Sequence, residues 1–171
     1  EFTETITVNA SPSTIWQVMI DLEEWWPPSN PEHQSVELLD DRGIEVGAQI
    51  RIREKVAGIP CVAEGQITRV DPMSEVTWEA RARYRWWGVS VPICEGVTWR
   101  LRPAGLDTTR VSAHVWATYP PGLFGRFVGF VFTRLLDGIE KDREHARTEL
   151  RYLKNAIEAK GSERQSGYAS A

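Results

Sequence analysis

The pattern of apolar residues near the C-terminus predicts one long helix, from about residue 123 to residue 160. Its second half has an apolar face, because apolar residues recur there at steps of three, four and seven. These residues are Leu135, Ile139, Ala146, Leu150, Leu153 and Ile157. The first half is apolar nearly all the way round, so we expect it to be covered on most sides. A straight helix of this length would reach about 60 Å, longer than one domain, which favours a kink or a break in the first half.

Alternation of apolar and polar residues before this helix predicts seven strands. Residues 76–86 show it most clearly, with Arg81, Arg83 and Arg85 on the face opposite the apolar side chains. The predicted strands cover residues 2–10, 34–39, 48–56, 61–70, 76–86, 93–102 and 109–119. Ser11 followed by Pro12 is typical of a helix start, and two short helical pieces are expected before the prolines that begin at Pro27.

These elements together predict the fold class. Mostly antiparallel strands with one polar face form a curved sheet, and the C-terminal helix is the one element large and apolar enough to fill its concave side. We therefore expect an α+β helix-grip. A seven-stranded curved antiparallel sheet wraps around the long C-terminal helix, and two short helices follow the first strand. Residues 1–160 form this single domain, and the small polar residues 161–171 are expected to be a disordered tail.

Composition and charge narrow the function classes. Of the 171 residues, 42% are hydrophobic and 26% are charged, and the net charge of −4 argues against a nucleic-acid surface. There is no apolar run of about 18 residues, so no stable membrane insertion is expected. No signal peptide is predicted from these residues, and Cys61 and Cys94 are in no metal or redox spacing. We therefore expect a cytoplasmic protein in which both thiols are buried.

The tryptophan content points to a ligand cavity. The chain has eight Trp residues, and Trp supplies large apolar surfaces that often line such cavities. The expected lining residues lie on inward strand faces or on the helix where it crosses them: Trp78, Trp86, Val97, Trp99, Phe127, Phe130, Val131 and Leu135. A fully packed aromatic core is the competing interpretation.

Three polar residues stand out because they share the inward faces. Glu95 has the parity of Val97 and Trp99, Glu54 has the parity of its apolar strand neighbours, and Tyr84 is also inward. A carboxyl group in an apolar cavity has a raised pKa and can act as a general acid or base. Alternatively, the carboxylates meet water at the rim, a bulge reverses the parity, or each pairs with a basic side chain.

The histidines do not predict a metal site. His33, His114 and His145 are not spaced as metal ligands. His145 lies among charged helix residues and is expected to be solvated, His33 to be in a loop, and His114 to point outward. The chain also has no Ser-His-Asp order, phosphate-binding glycine loop or zinc spacing, so no metal and no other cofactor is predicted.

Several segments within residues 3–158 together resemble the SRPBCC superfamily, also called START or Bet v 1-like, and within it the bacterial polyketide cyclase/dehydrase group. They are residues 6–16, 36–39 with Gly47, 65–72, 98–103, 107–111 and the helix ending in 150–154. The resemblance implies a deep apolar cavity between helix and sheet for lipids, sterols, polyketides or other hydrophobic molecules. It also implies that Trp25 and Trp26 lie near the cavity mouth, where an ordinary hydrophobic cap is the alternative.

Two functions follow from the resemblance, because some members are enzymes and many only bind or carry. The first is binding of a hydrophobic small molecule, such as a lipid, a polyketide or an aromatic compound. The alternative is a polyketide cyclase/aromatase-like enzyme, in which Glu54, Glu95 and Tyr84 move protons during aldol closure. Convergence of these three residues would favour the enzyme. The sequence is compatible with a monomer or a homodimer.

Overall fold

A seven-stranded antiparallel sheet forms the frame of the protein. The computed structural model describes residues 1–86 and 88–168, with side chains as far as Lys160. The strands are β1 (Phe2–Val8), β2 (His33–Leu38), β3 (Gln49–Val56), β4 (Ile59–Asp71), β5 (Glu75–Trp86), β6 (Val89–Gly105) and β7 (Thr108–Thr118). Their order in the sheet is β1-β7-β6-β5-β4-β3-β2, and every neighbouring pair is antiparallel. The predicted helix-grip fold is confirmed.

The helices follow the first strand and the last one. They are α1 (Pro12–Met19), α2 (Leu22–Trp25), α3 (Gly122–Phe130) and α4 (Gly138–Tyr168), with a single 3₁₀ turn at Pro27–Ser29. The Ser11 hydroxyl accepts a hydrogen bond from the backbone N–H of Thr14 at 3.3 Å, so Ser11 caps α1 as its sequence position predicts.

The long C-terminal helix is broken, as its length predicted. α3 is followed by a π-helical turn at Val131–Leu135, and the chain then bends before α4 begins. At the bend, Asp137 has a φ of +52°, a left-handed conformation that cannot continue a right-handed helix. The predicted helix is therefore two helices, of which α4 packs along β1.

α4 is the helix that fills the concave side of the sheet. Four residues of the predicted apolar face, Ala146, Leu150, Leu153 and Ile157, are each at most 3% exposed, whereas Leu135 and Ile139, beside the break, are 68% and 42% exposed. The helix continues to Tyr168, past Lys160, so the backbone of residues 161–168 is helical where a tail was expected. No proline interrupts this segment, and Gly161 costs a helix only about 1 kcal/mol relative to Ala. Residues 169–171 of the predicted tail lie outside the described residues.

α3 has a broad exposed face, which corrects the expectation that this segment is covered on most sides. Leu123, Phe124 and Phe127 are exposed, whereas Gly125 and Val128 are buried. The reason is the close approach of Gly125 to the Pro120 carbonyl, where a Cβ atom would collide with the backbone. Gly125 thus faces the segment that leads into α3, and Phe124, Phe127 and Phe130 lie on the exposed side.

The two cysteines differ in exposure. Cys61 is buried on β4, as expected, but Cys94 on β6 is exposed. Cys94 directly precedes Glu95, and successive side chains of a strand point to opposite faces of the sheet. The expectation that both thiols are buried is therefore wrong for Cys94, because an inward Glu95 requires an outward Cys94.

Candidate functional site

A cavity lies between the concave face of the sheet and the two C-terminal helices. Its volume, counted as the space open to the centres of water molecules, is about 110 Å³. One water molecule needs about 10–15 Å³ on the same measure, so the cavity has room for several. Aromatic and aliphatic side chains form most of its wall, including Trp26, Ile52, Trp78, Trp86, Val97, Val128 and Phe132. Polar groups are gathered on one part of the wall: Glu54, Tyr84, Glu95, Asp142, His145 and Glu149.

The predicted tryptophans divide into cavity wall and supporting core. Trp26, Trp78 and Trp86 border the cavity, as does Val97. Trp25 and Trp99 do not border it, and their rings pack against the ring of Trp26 instead. The ring of Trp99 is edge-on to the ring of Trp26, with centroids 5.0 Å apart. Trp25 and Trp99 are therefore core residues that hold the wall in place.

The predicted helix residues are not at the cavity wall. Phe127, Phe130 and Leu135 are 62%, 56% and 68% exposed, and Val131 is buried outside the lining. Val128 and Phe132 line the cavity instead. Together with Gly125 they are spaced by three and four residues, which defines the helix face that the Gly125 contact holds inward. The sequence interpretation chose the neighbouring face, and the lining assignment of these four residues is corrected accordingly.

Tyr84 and Glu95 form a hydrogen-bonded pair on the cavity wall. They lie on the adjacent strands β5 and β6, and the Tyr84 hydroxyl donates to Glu95 Oε2 at 2.7 Å. Burial, reinforced by the negative charge of Glu54, raises the pKa of Glu95 to about 8. Burial also raises the pKa of Tyr84 well above its usual value. Near neutral pH both side chains of this pair are therefore mainly protonated.

Glu54 belongs to a second polar group, a cluster of two histidines and two carboxylates. His33 and His145 bring their Nε2 atoms to 3.0 Å from each other. Glu54 Oε2 is 3.4 Å from each of these nitrogens, and Glu149 Oε1 is 3.0 Å from that of His33 and 3.4 Å from that of His145. The cluster is buried, since the His33 side chain is only 1% exposed. Pairing with a basic side chain, which the sequence left open for Glu54, is what occurs.

The charges in this cluster stabilise one another. Burial alone would lower the pKa of His33 and of His145, but hydrogen bonds and charge from Glu149 and Glu54 raise them to about 9 and about 11. The pKa values of Glu54 and Glu149 are in turn lowered, although burial opposes this. Asp142, the next acid on the wall, has its pKa raised to about 7 by burial.

The three residues expected to converge do come together. Glu54, Glu95 and Cys61 place a carboxylate oxygen or sulfur within 4.8 Å of one another, and Tyr84 bonds Glu95. Register explains this convergence. Cys61 is opposite Glu54 on one side and opposite Tyr84 on the other, across three adjacent strands.

The histidine interpretations need correction. His33 begins β2 instead of lying in a loop, and His145 is buried instead of solvated. The sequence carried a signal for this. Asp142, His145 and Glu149 are spaced by three and four residues and flank Ala146 on the inward face of α4. His114 behaves as expected, on the outer side of the sheet, where its Nδ1 is 3.0 Å from the hydroxyl oxygen of Thr3.

Trp78 contributes an unused hydrogen-bond donor. Its indole Nε1 is buried and has no hydrogen-bond partner. It is alone in this among the buried side-chain nitrogen and oxygen atoms that the structure describes. A buried donor without an acceptor costs about 1–3 kcal/mol. Because Trp78 borders the cavity, an acceptor on a bound molecule is one way to satisfy this group.

A curved antiparallel sheet that grips a helix around an internal apolar cavity defines the helix-grip class of proteins. Within this class, residues 1–158 match the family described as "Polyketide cyclase / dehydrase and lipid transport". The chain belongs to this family, and the resemblance drawn from the sequence is confirmed. No sequence in the curated set of proteins matches significantly. Within the described residues, no helix is long and apolar enough to cross a membrane.

Solved structures of similar proteins share the fold at low sequence identity. The Zhui aromatase/cyclase from Streptomyces sp. R1128 is 15% identical, with a TM-score of 0.67 over 92% of each chain. Norcoclaurine synthase from Thalictrum flavum, a point mutant with a transition-state analogue, is 16% identical, with a TM-score of 0.62 over 94% of each chain. A START superfamily protein from Mycobacterium smegmatis is 19% identical, with a TM-score of 0.51 over 85% of this chain and 97% of that one.

Proposed function

We propose that the protein binds a hydrophobic small molecule that carries oxygen, such as a polyketide, a lipid or an aromatic compound, in the cavity between sheet and helices. The observation that carries this proposal is the division of the cavity wall. Aromatic and aliphatic residues bury the body of a ligand, Tyr84 and Glu95 meet its polar atoms, and the N–H of Trp78, which has no protein acceptor, is a further donor on the lining. Ligand sites typically combine an apolar lining with few polar groups in this way.

Filling the cavity tests the binding proposal. Val97 borders the cavity, and V97F adds a ring to its interior, so we expect at least a tenfold loss of affinity. The matched control is V89F, which adds the same ring on the same strand at a residue that is 53% exposed. Native mass spectrometry of the purified protein would identify bound species, and titration with polyketides, aromatic compounds and fatty acids would give affinities.

The outcomes of this test are distinct. Binding that survives V97F while the variant unfolds at the wild-type temperature would place the ligand elsewhere. V128F fills the cavity from α3 and covers the case in which V97F does not fold. A wild-type cavity that takes up no compound from the screen would end the binding proposal and the catalytic one below.

A second candidate function is a polyketide cyclase/aromatase-like activity, which the Tyr84–Glu95 pair favours. In aldol closure, a base removes a proton next to one carbonyl, and the oxygen of the attacked carbonyl gains a proton. The ionised fraction of Glu95, whose pKa is about 8, takes the first proton, and the carboxyl group so formed beside the Tyr84 hydroxyl returns a proton to the oxygen of the attacked carbonyl. The apolar wall would hold the chain folded for ring closure.

Conservative variants separate catalysis from binding. Y84F and E95Q keep the shape of the pair but remove its transferable protons. If the pair is catalytic, we expect turnover of a poly-β-ketone to fall about 10²–10⁴-fold while affinity changes only a few-fold. T77S alters an outward residue on β5 and is the control. Wild-type turnover in both variants, or no turnover in the wild type, would leave binding as the function.

A further inference from the structure

We propose that His33, His145 and Glu54 bind a divalent first-row transition-metal ion such as Zn²⁺ or Fe²⁺ at the edge of the cavity, with Glu149 as the neighbouring acid. The three proposed ligands come from β2, α4 and β3, so the site exists only in the folded chain. Two imidazole nitrogens and a carboxylate oxygen are a donor set that suits these metals.

The distances match those around a metal ion. The three ligand atoms lie within 4.8 Å of one another, with separations of 3.0 Å between the two Nε2 atoms and 3.4 Å from each to Glu54 Oε2. Ligand atoms bonded to a tetrahedral Zn²⁺ at about 2.0–2.1 Å lie about 3.3 Å apart. A bound ion therefore requires little movement of the side chains.

The second nitrogen of each histidine is held in the way that metal-binding histidines are held. His33 Nδ1 is 2.8 Å from the Trp26 carbonyl oxygen, and His145 Nδ1 is 3.3 Å from Glu32 Oε2. Both oxygens only accept hydrogen bonds, so each Nδ1 carries the hydrogen. In the neutral rings, the lone pairs are then on the two Nε2 atoms and point into the cluster. Hydrogen bonds of this kind fix the tautomer and orientation of metal-bound histidines.

The arrangement of the two Nε2 atoms calls for a cation between them, either a proton or a metal ion. At 3.0 Å two neutral Nε2 atoms have lone pairs that repel and two protonated ones place two positive charges side by side, whereas one proton can be shared between them as a hydrogen bond. A metal ion accepts both lone pairs and balances the charges of Glu54 and Glu149. The alternative is a metal-free cluster in which the protonated histidines donate to the two carboxylates, and the experiment below separates these states.

The site is reachable from two sides. Glu54 and His145 border the main cavity, so a remaining coordination position faces the space proposed for the ligand. His145 and Glu32 also border a surface groove between residues 30–32 and α4, which gives an ion a route from solvent.

Metal binding can be measured on the full chain without an organic ligand, so its result is independent of the proposed function. After chelator treatment and dialysis, Zn²⁺, Fe²⁺ and Co²⁺ are titrated by calorimetry, and metal content is measured after desalting. We expect one ion per chain with a dissociation constant below micromolar. H33Q and H145Q should weaken binding at least 100-fold, and E54Q should weaken it at least tenfold. H114Q, which removes the third histidine of the chain, should bind as the wild type does.

A spectroscopic measurement on the wild type avoids dependence on variants that fail to fold. In long-range ¹H–¹⁵N spectra of the histidine rings, we expect Zn²⁺ to shift the Nε2 signals of His33 and His145 and to leave those of His114 unchanged. The proposal is overturned if none of the three metals binds stoichiometrically. It is also overturned if both rings remain protonated with metal present, or if folded H33Q and H145Q retain wild-type affinity.

Discussion

At the scale of single residues, the buried environment of Glu95 determines the pKa of the carboxyl group on the cavity wall. The strand parity that points Glu95 inward also removes it from water, and burial with the charge of Glu54 nearby raises its pKa from 4.5 to about 8. The hydrogen bond from Tyr84 opposes this shift but does not cancel it. A buried acid of this kind costs stability once the surrounding pH favours its ionisation.

Replacing Glu95 should therefore change the pH dependence of stability. Between pH 4.5 and about 8 the unfolded chain loses a proton that the folded chain keeps, so the wild type loses stability as pH rises. Gln does not titrate. We expect the stability of E95Q relative to wild type to rise across this window by at most about 1.4 kcal/mol per pH unit.

Urea unfolding at a series of pH values measures this difference. E24Q removes an exposed carboxylate and is the control, expected to stay within about 0.5 kcal/mol of wild type. A difference between E95Q and wild type that does not vary with pH would mean that Glu95 ionises normally in the folded protein.

At the scale of elements, the break before α4 lets α3 adopt its own orientation over the cavity. Gly125 packs on Pro120, and this contact directs Val128 and Phe132 to the cavity and Phe127 to the exterior. Gly138 allows the ring of Phe132 to lie against the start of α4, because a side chain there would occupy the same space. Both glycines thus leave room for the arrangement in which Phe132, and not Phe127, faces the cavity.

Two phenylalanine truncations on the same segment test this orientation. We expect F132A to weaken ligand binding about tenfold, because it removes part of the cavity wall. F127A removes the same ring from a residue that is 62% exposed and should leave affinity unchanged. Titration with a ligand identified by native mass spectrometry measures both. A larger loss for F127A would mean that the inward face of α3 is the one the sequence suggested.

At the scale of the whole molecule, α4 is fastened to the edge of the sheet as well as to its concave face. Glu4 on β1 accepts hydrogen bonds from Arg143 and Arg147, each at 3.0 Å. About two turns after Arg147, Lys154 donates a hydrogen bond to the Thr7 carbonyl at 2.9 Å. These contacts hold α4, the helix that also carries His145 and Glu149, along β1.

Side-chain truncations on the two sides of α4 compare the stability cost of a buried residue with that of an exposed one. Leu153 is 1% exposed, so L153A should lower the free energy of unfolding by about 2–5 kcal/mol. R151A alters the exposed side, where Arg151 pairs with Glu144, and should cost at most about 1 kcal/mol. Thermal and urea unfolding give both values. Equal costs would show that α4 is not packed against the sheet as described.

The sequence by itself determined the inward faces of the strands and of α4. The side-chain period of a strand is two residues, so Trp78, Tyr84 and Glu95 were assigned correctly from their neighbours alone. The same local rule placed Leu150 and Leu153 in the core, and the excess length of the predicted helix indicated the break.

Only the tertiary structure decided which of these faces meet. His33 and His145 are 112 residues apart, and no local period relates a residue on β2 to one on α4. The inward face of α3 and the following turn, with Gly125, Val128 and Phe132, could not be chosen by hydrophobicity, since the opposite face with Phe124, Phe127 and Phe130 is at least as apolar. Periodicity fixes orientation within an element, whereas the site is formed by contacts between elements distant in sequence.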